Sequence, residues 1–70
     1  MTQHEMIIWH IDHYGSISPM EAFSEYGITK LATRISEMRR QGMNFTKVMV
    51  EQENRFGQPV RYMRYWRSAQ

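Results

Sequence analysis

The 70-residue sequence contains no cysteine, only two prolines, and no lysine or arginine before residue 29. The lack of cysteine excludes disulfides and thiolate zinc sites, and it is typical of proteins in a reducing compartment. The longest apolar run, residues 6–9, is far too short to cross a bilayer, and no Lys or Arg precedes it as in a signal peptide. We therefore expect a cytoplasmic protein of one domain, residues 1–70, without membrane contact.

The charged residues are divided sharply between the two parts of the chain. Residues 1–28 contain four acidic residues and no Lys or Arg, whereas residues 29–70 contain nine basic and three acidic residues. Folding of such a chain gives one electropositive face, which binding to a polyanion such as a nucleic acid requires. The alternative is a solvated surface on which the charges cluster without a function.

Two capping-box motifs predict where the first two helices begin. Residues 2–5 (TQHE) and 18–21 (SPME) both place a Ser or Thr three residues before a Glu, a pattern that satisfies free amides at a helix N-terminus. We expect the first helix over residues 3–14, ended by Gly15, and the second up to about Tyr26, ended by Gly27. The predicted core-facing residues of these helices are Ile7, Ile8, Ile11, Tyr14, Ala22 and Phe23.

A third helix is predicted over residues 30–41, between Thr29 as its N-cap and Gly42. The helical period gives it one apolar side and one polar side. The predicted inward residues are Leu31, Ile35 and Met38.

The remainder of the chain has the composition of a β-hairpin. Residues 45–51 and 60–66 are rich in β-branched and aromatic side chains, and they flank a turn-forming stretch, residues 53–59. Phe45 and Val48 cannot share a face of a regular strand, so we expect a bulge or an early twist.

With a short extended bridge at residues 16–17, the predicted order is helix, short strand, helix, tight turn, helix, hairpin. This order is that of an α+β winged helix-turn-helix domain. Three helices precede a two-stranded hairpin, which is the wing, and residues 18–42 form the helix-turn-helix itself.

The polar side of the third helix is the strongest candidate for contact with duplex DNA, because such a helix fits the major groove. Arg34 is expected to make a bidentate contact to guanine, and Lys30 to meet a phosphate or a base. Glu37 either accepts from a cytosine amino group or pairs with a neighbouring cation. The alternative is an ordinary solvated helix face. The candidate DNA-binding residues here are Thr29, Lys30, Thr33, Arg34, Glu37 and Arg40.

Two further places are candidates for contact with the DNA backbone. Ser18 and the first amides of the second helix can hold a phosphate, although Ser18 can equally serve only as a cap. At the wing tip, residues 53–59, a basic residue suits a minor-groove or backbone contact, and a solvated turn is the alternative. The candidate residues of the wing tip are Asn54, Arg55 and Gln58.

The sequence offers no metal site, cofactor motif or catalytic constellation. His10 and His13 lie one turn apart on the first helix, but His4 is too far round the helix to complete a metal site with them. No nucleophile–base arrangement and no phosphate-binding glycine loop is present. We therefore expect a protein without enzymatic activity.

Five segments resemble a family of short phage and prophage winged helix-turn-helix proteins, and together they span nearly the whole chain. They are residues 15–22 (GSISPMEA), 26–35 (YGITKLATRI), 38–42 (MRRQG), 54–57 (NRFG) and 60–65 (VRYMRY). The resemblance implies duplex DNA binding and a phage origin. It also implies that residues 29–34 open the recognition helix and that residues 54–57 form the wing turn.

A second apolar stripe on the first helix lies opposite the core stripe. It consists of Met6, Trp9 and His13, and it is a candidate interface for a second copy or for a host or phage protein. The alternative is that the chain termini cover it. Trp9 and Trp66 depart from the family pattern. The sequence therefore suggests two functions, a regulatory DNA-binding protein and an interaction protein of the same fold. RNA binding is a third alternative.

Overall fold

The computed structural model describes residues 1–68 as three helices followed by an antiparallel hairpin. The elements are α1 (Gln3–Tyr14), α2 (Pro19–Tyr26), α3 (Leu31–Arg40), β1 (Phe45–Glu53) and β2 (Pro59–Arg67). The predicted α+β architecture is therefore confirmed. Among residues 1–68, no helix has both the length and the apolar character needed to cross a bilayer.

Both predicted capping boxes are present. At the start of α1, the Thr2 hydroxyl accepts from the Glu5 amide at 3.1 Å, and the Thr2 amide donates to the Glu5 carboxylate at 2.7 Å. The latter bond holds the pKa of Glu5 below its ordinary value. Ser18 and Glu21 repeat the arrangement at α2 with distances of 3.2 and 3.1 Å. These reciprocal bonds fix the first residue of each helix.

The prediction that Thr29 is the N-cap of α3 is wrong. Lys30 occupies that position: its carbonyl accepts from the Arg34 amide at 3.1 Å, and its side chain makes no capping hydrogen bond. The preceding turn explains the shift, because Gly27 in a left-handed conformation and buried Ile28 delay the start of the helix by one residue.

The core is assembled from one or two apolar side chains of each segment. Its largest fully buried side chains are Ile7, Ile17, Ile28, Ile35 and Met38. The predicted inward residues Leu31, Ile35 and Met38 of α3 are all buried, as is Ala22 of α2. Because all helices share this small cluster, no helix needs a second apolar face for its own packing.

Two predicted core residues lie outside the core. Tyr14 is 68% exposed, and Phe23 is 57% exposed. On α1 the buried side is completed instead by His10, which fits there because its Nδ1 lies 2.6 Å from the Tyr26 hydroxyl. On α2, consecutive residues lie about 100° apart, so a short helix that buries Ala22 turns Phe23 away from the core.

The hairpin is regular, and the predicted bulge is absent from it. Pairing continues without interruption from Phe45 opposite Arg67 to Glu53 opposite Pro59. Phe45 is buried and Val48 is exposed, so the two side chains occupy opposite faces, as strand alternation requires. The predicted short strand is present as Ile17, which exchanges backbone hydrogen bonds of 3.0 and 2.9 Å with Tyr65.

Arg64 of β2 ties the hairpin to the helices. Its guanidinium donates to the Ser16 hydroxyl at 2.8 Å and to both carboxylate oxygens of Glu21 at 3.1 and 2.9 Å. Burial alone would raise the pKa of Glu21, but the hydrogen bonds from Arg64 and from the Ser18 amide outweigh it and lower that pKa. The same pair raises the pKa of Arg64.

Ile17→Val is expected to lower the free energy of unfolding by about 0.5–1.5 kcal/mol, because it removes one methylene from a fully buried position. Urea denaturation followed by circular dichroism measures the change. Val48→Ala on the exposed face of β1 is the matched control, with an expected change within about 0.5 kcal/mol. Equal losses in both variants would contradict the assigned core.

Glu21→Gln is expected to flatten the acid limb of the stability–pH profile. Since the pKa of Glu21 is lowered by folding, the unfolded chain takes up this proton at higher pH, and stability falls as pH drops below about 4.5. More than a third of the side chain is exposed, so solvent screening limits the effect to about 1 kcal/mol.

Urea unfolding between about pH 3 and about pH 7 measures this slope. Glu25→Gln on the same helix, an exposed acid, is the matched control and should keep the wild-type slope. An unchanged slope in Glu21→Gln would show that the Arg64–Glu21 pair does not stabilise the fold.

Candidate nucleic-acid interface

The outer face of α3 consists of short polar side chains with cations at both ends. Opposite the buried stripe, Thr33, Ser36 and Arg40 are exposed. Lys30 is exposed at the N-terminal end of the helix. Ser36 is not among the predicted contact residues, although its position three residues after Thr33 puts both hydroxyls on one side of the helix.

Glu37 acts on the positive charge of this face without a direct ion pair, because the charge of Arg40 is among the causes that lower the pKa of Glu37. Within residues 1–68, neither Lys30 nor Arg40 forms a salt bridge. Arg39 is also exposed, and one of its terminal nitrogens donates to the Phe45 carbonyl at 3.2 Å, which fixes the base of the hairpin to the end of α3. A solvated helix with free cations at each end can neutralise phosphates on both sides of a groove.

Arg34 lies on the flank of α3 and is half-buried. Its side chain is only 28% exposed, and its Nη2 lies 3.3 Å from Glu37 Oε2. Its Nε is buried without a hydrogen-bond partner among residues 1–68. This geometry differs from the fully outward position expected from the sequence, so a contact with guanine requires the guanidinium to leave Glu37.

Glu37 joins α3 to the start of α1. Its Oε1 lies 2.8 Å from His4 Nε2, and its Oε2 faces Arg34. The hydrogen bond with His4 lowers the pKa of Glu37, and the positive charge of Arg34 adds to this effect. Of the two roles predicted for Glu37, pairing with a neighbouring cation is the one seen here. The pairing also reduces the repulsion that a free carboxylate would exert on phosphates.

Ser18 and Thr29 have contrasting surroundings. Ser18 is 3% exposed, and its hydroxyl and amide are both used in the capping box with Glu21. This geometry favours the capping role of Ser18 over a contact with phosphate. Thr29 is exposed immediately before α3, beside Lys30.

The wing tip is a rigid loop built around Asn54. The Asn54 Oδ1 accepts from the amides of Phe56 and Gln58 at 2.9 and 3.0 Å, and its Nδ2 donates to the Gln58 side chain at 3.3 Å. Two of the three predicted wing residues therefore shape the loop itself. Arg55 is exposed and makes no salt bridge within residues 1–68.

Phe56 is not among the predicted contact residues, yet it is 82% exposed. No other large apolar side chain described as exposed reaches that fraction. The signal for it in the sequence is an aromatic residue inside a turn-forming stretch, next to a cation and a glycine.

The three residues predicted to form a partner interface on α1 differ in their surroundings. Met6 packs against the core, Trp9 is 40% exposed, and His13 stacks on the Trp9 ring with 4.0 Å between centroids. Beside Trp9 lies a groove of about 480 Å³ between α1 and the end of α3, here termed the α1–α3 groove. Trp9 lines it together with Ile8, Asp12 and Met43, whereas Met6 and His13 do not.

The three histidines do not converge. His4 contacts Glu37, His10 contacts Tyr26, and the His13 Nδ1 lies 2.8 Å from the Trp9 carbonyl. The described part of the chain contains no group of three His, Asp or Glu side chains that could hold a metal ion.

The sequence matches one protein-family model over almost its whole length. A family model described as a winged helix-turn-helix domain matches residues 2–66, which covers the three helices, β1 and all of β2 except its last residue. No curated protein and no solved structure matches the chain. Because the family match covers almost the entire sequence and agrees with its three helices and hairpin, the chain belongs to the winged helix-turn-helix domain family.

Proposed function

We propose that this protein is a phage or prophage regulator that binds duplex DNA, with α3 in the major groove. The wing tip meets the neighbouring backbone or minor groove. The observation that carries the proposal is the outer face of α3, where Thr33 and Ser36 lie between the unpaired cations Lys30 and Arg40. Such a protein acts where the DNA is, in the cytoplasm of the bacterial host.

The dimensions and chemistry of this face suit the major groove. An α-helix with its side chains is about 10–12 Å across, and the groove is about 12 Å wide. Cations at the two ends of α3 reach phosphates, while the hydroxyls of Thr33 and Ser36 reach base edges. Arg34 adds base recognition when guanine acceptors replace its contact with Glu37.

The acidic part of the chain orients the domain on DNA. Exposed carboxylates on α1 and α2, such as Glu5, Asp12 and Glu25, repel phosphates. The basic face, formed by α3 and the hairpin, therefore turns toward the duplex. One domain of this size reads few base pairs, so a homodimer is part of the proposal.

Fluorescence anisotropy with a short random-sequence duplex tests DNA binding. If Lys30, Arg40 and Arg55 each meet a phosphate, wild-type affinity falls about 40-fold between about 50 and about 200 mM salt, because each contact releases condensed counterions. Arg40→Ala should weaken binding and reduce the slope of log affinity against log salt by about 1. Arg34→Ala should cost about 1–3 kcal/mol on a selected target sequence and relax specificity.

Arg61→Gln is the matched control, because this exposed cation is already paired with Glu51 at 3.1 Å. It should leave the salt slope close to that of the wild type. Absence of binding to duplex DNA, or binding insensitive to salt, would contradict the proposed function. Preference for duplex RNA over DNA would point instead to an RNA-binding module.

The α1–α3 groove favours protein binding as a second candidate function. It combines apolar lining from Ile8, Trp9 and Met43 with the acidic side chain of Asp12, an arrangement that suits a protein surface and repels nucleic acid.

Trp9→Ala separates the two candidate functions. In an interaction protein it abolishes activity in the phage-infected or lysogenic host while leaving DNA affinity unchanged, because Trp9 lines the α1–α3 groove together with the acidic residues Glu5 and Asp12. Phe23→Ala is the matched control, because this exposed aromatic residue of α2 makes no ring contact with Trp9. Loss of host activity in both variants, or in neither, would count against a specific role of the groove.

A further inference from the structure

The phenyl ring of Phe56 is exposed and packs against no other ring in the described part of the chain. Its exposed fraction at the wing tip is 82%. Single exposed apolar side chains are common on protein surfaces, so exposure alone does not assign a partner to Phe56. The loop that carries the ring, the charge around it and its place on the hairpin indicate one.

The loop that carries Phe56 is held in one conformation. The Phe56 amide donates to the Asn54 side chain, the Gly57 amide donates to the Asn54 carbonyl at 3.0 Å, and the Asn54 amide donates to the Gln58 carbonyl at 2.8 Å. Gly57 has a φ of +77°, a left-handed conformation that glycine adopts without steric cost. A ring presented on such a loop loses little conformational freedom on binding.

Charge alone cannot hold the outer part of the wing on DNA. Residues 51–61 contain two glutamates and two arginines, and one of each is consumed in the Glu51–Arg61 pair. The remaining Glu53 offsets the charge of Arg55. Attraction of this neutral tip to a polyanion is therefore weak, and a component that does not depend on phosphate neutralisation would add to the contact that Arg55 can make.

The length of the hairpin allows its tip to reach the next groove. Its base is fixed to the end of α3 by the bond from Arg39 to the Phe45 carbonyl. Nine-residue strands extend about 30 Å, whereas the adjacent minor groove is about half a helical turn, roughly 17 Å, from the major groove that α3 occupies. The minor groove is about 6 Å wide, so a single ring enters where two strands cannot.

We propose that Phe56 inserts as an apolar wedge into the minor groove, where it contacts or partly unstacks one base step while Arg55 meets the flanking phosphate. This inference rests on the proposed function. Apolar side chains inserted between base steps are an established way for proteins to grip the minor groove. The wedge supplies the salt-independent part of the affinity, and α3 with its cations supplies the salt-dependent part.

Phe56→Ala is expected to weaken binding to a random-sequence duplex about 5- to 100-fold, by the same factor at every salt concentration, with an unchanged salt slope. Phe56→Leu should retain most of the affinity, since leucine is also an effective wedge. Arg55→Ala should instead lower the slope by about 1. Phe23→Ala is the matched control, because it removes an exposed phenyl from α2, outside the proposed interface.

A second readout detects the wedge directly. In an alternating A·T duplex containing 2-aminopurine, wild-type protein should raise the fluorescence of the probe because its base unstacks, and Phe56→Ala should not. Circular dichroism confirms that each variant is folded, as expected for changes at an exposed loop.

Three results would overturn the proposal. The first is wild-type affinity in Phe56→Ala. The second is an affinity loss in Phe56→Ala that changes the salt slope. The third is sedimentation showing that Phe56→Ala abolishes self-association while the DNA affinity of the protomer is preserved, which would assign the ring to a protein contact. Arg40→Ala distinguishes this failure from failure of the proposed function, because it must still weaken DNA binding if α3 lies in the major groove.

Discussion

The backbone pairing of Ile17 with Tyr65 is the connection on which the rest of the structure depends. It joins the link between α1 and α2 to the last strand, and both side chains are buried at this junction. In a chain without disulfides, a two-stranded hairpin is at best marginally stable alone. The third short strand and the shared apolar core convert it into part of the domain. The Arg64 contacts with Ser16 and Glu21 reinforce the same junction from a neighbouring residue.

This junction also explains how one small domain presents two different surfaces. The helices and hairpin share a single core, so their outer faces are free of packing constraints. The face formed by α3 and the hairpin carries cations, whereas α1 carries acidic residues and the α1–α3 groove. Because the two surfaces differ in charge, the two proposed partners, a duplex and a protein, would meet different sides of the domain.

The link from His4 through Glu37 to Arg34 joins these two surfaces. The Glu37 carboxylate contacts His4 at the start of α1 with one oxygen and Arg34 of α3 with the other. This pairing lowers the repulsion that Glu37 would exert on DNA, but it also restrains Arg34. In the proposed complex, affinity and base recognition depend on different residues, since Lys30 and Arg40 form no salt bridge in the described chain while Arg34 must exchange its partner.

The sequence by itself determined the order and type of the elements. Capping boxes, helix-ending glycines and the change from helical to strand period are local signals, because they connect residues only two to four positions apart. The helical period predicted the inward stripe of α3, and the composition showed the charge asymmetry of the chain. These local signals do not determine which of several apolar residues is buried. For this reason they predict Tyr14 and Phe23 in a core that does not contain them.

Only the tertiary structure decided which polar side chains are buried and which residues they pair with. His10 is buried because Tyr26 supplies a partner sixteen residues away, and Glu37 is paired because α1 brings His4 to it across 33 positions. The side chain of Phe56 stays exposed because the hairpin continues outward beyond the last residue that the helices can cover. Contacts between residues so far apart in sequence depend on how the elements pack, which no local pattern encodes.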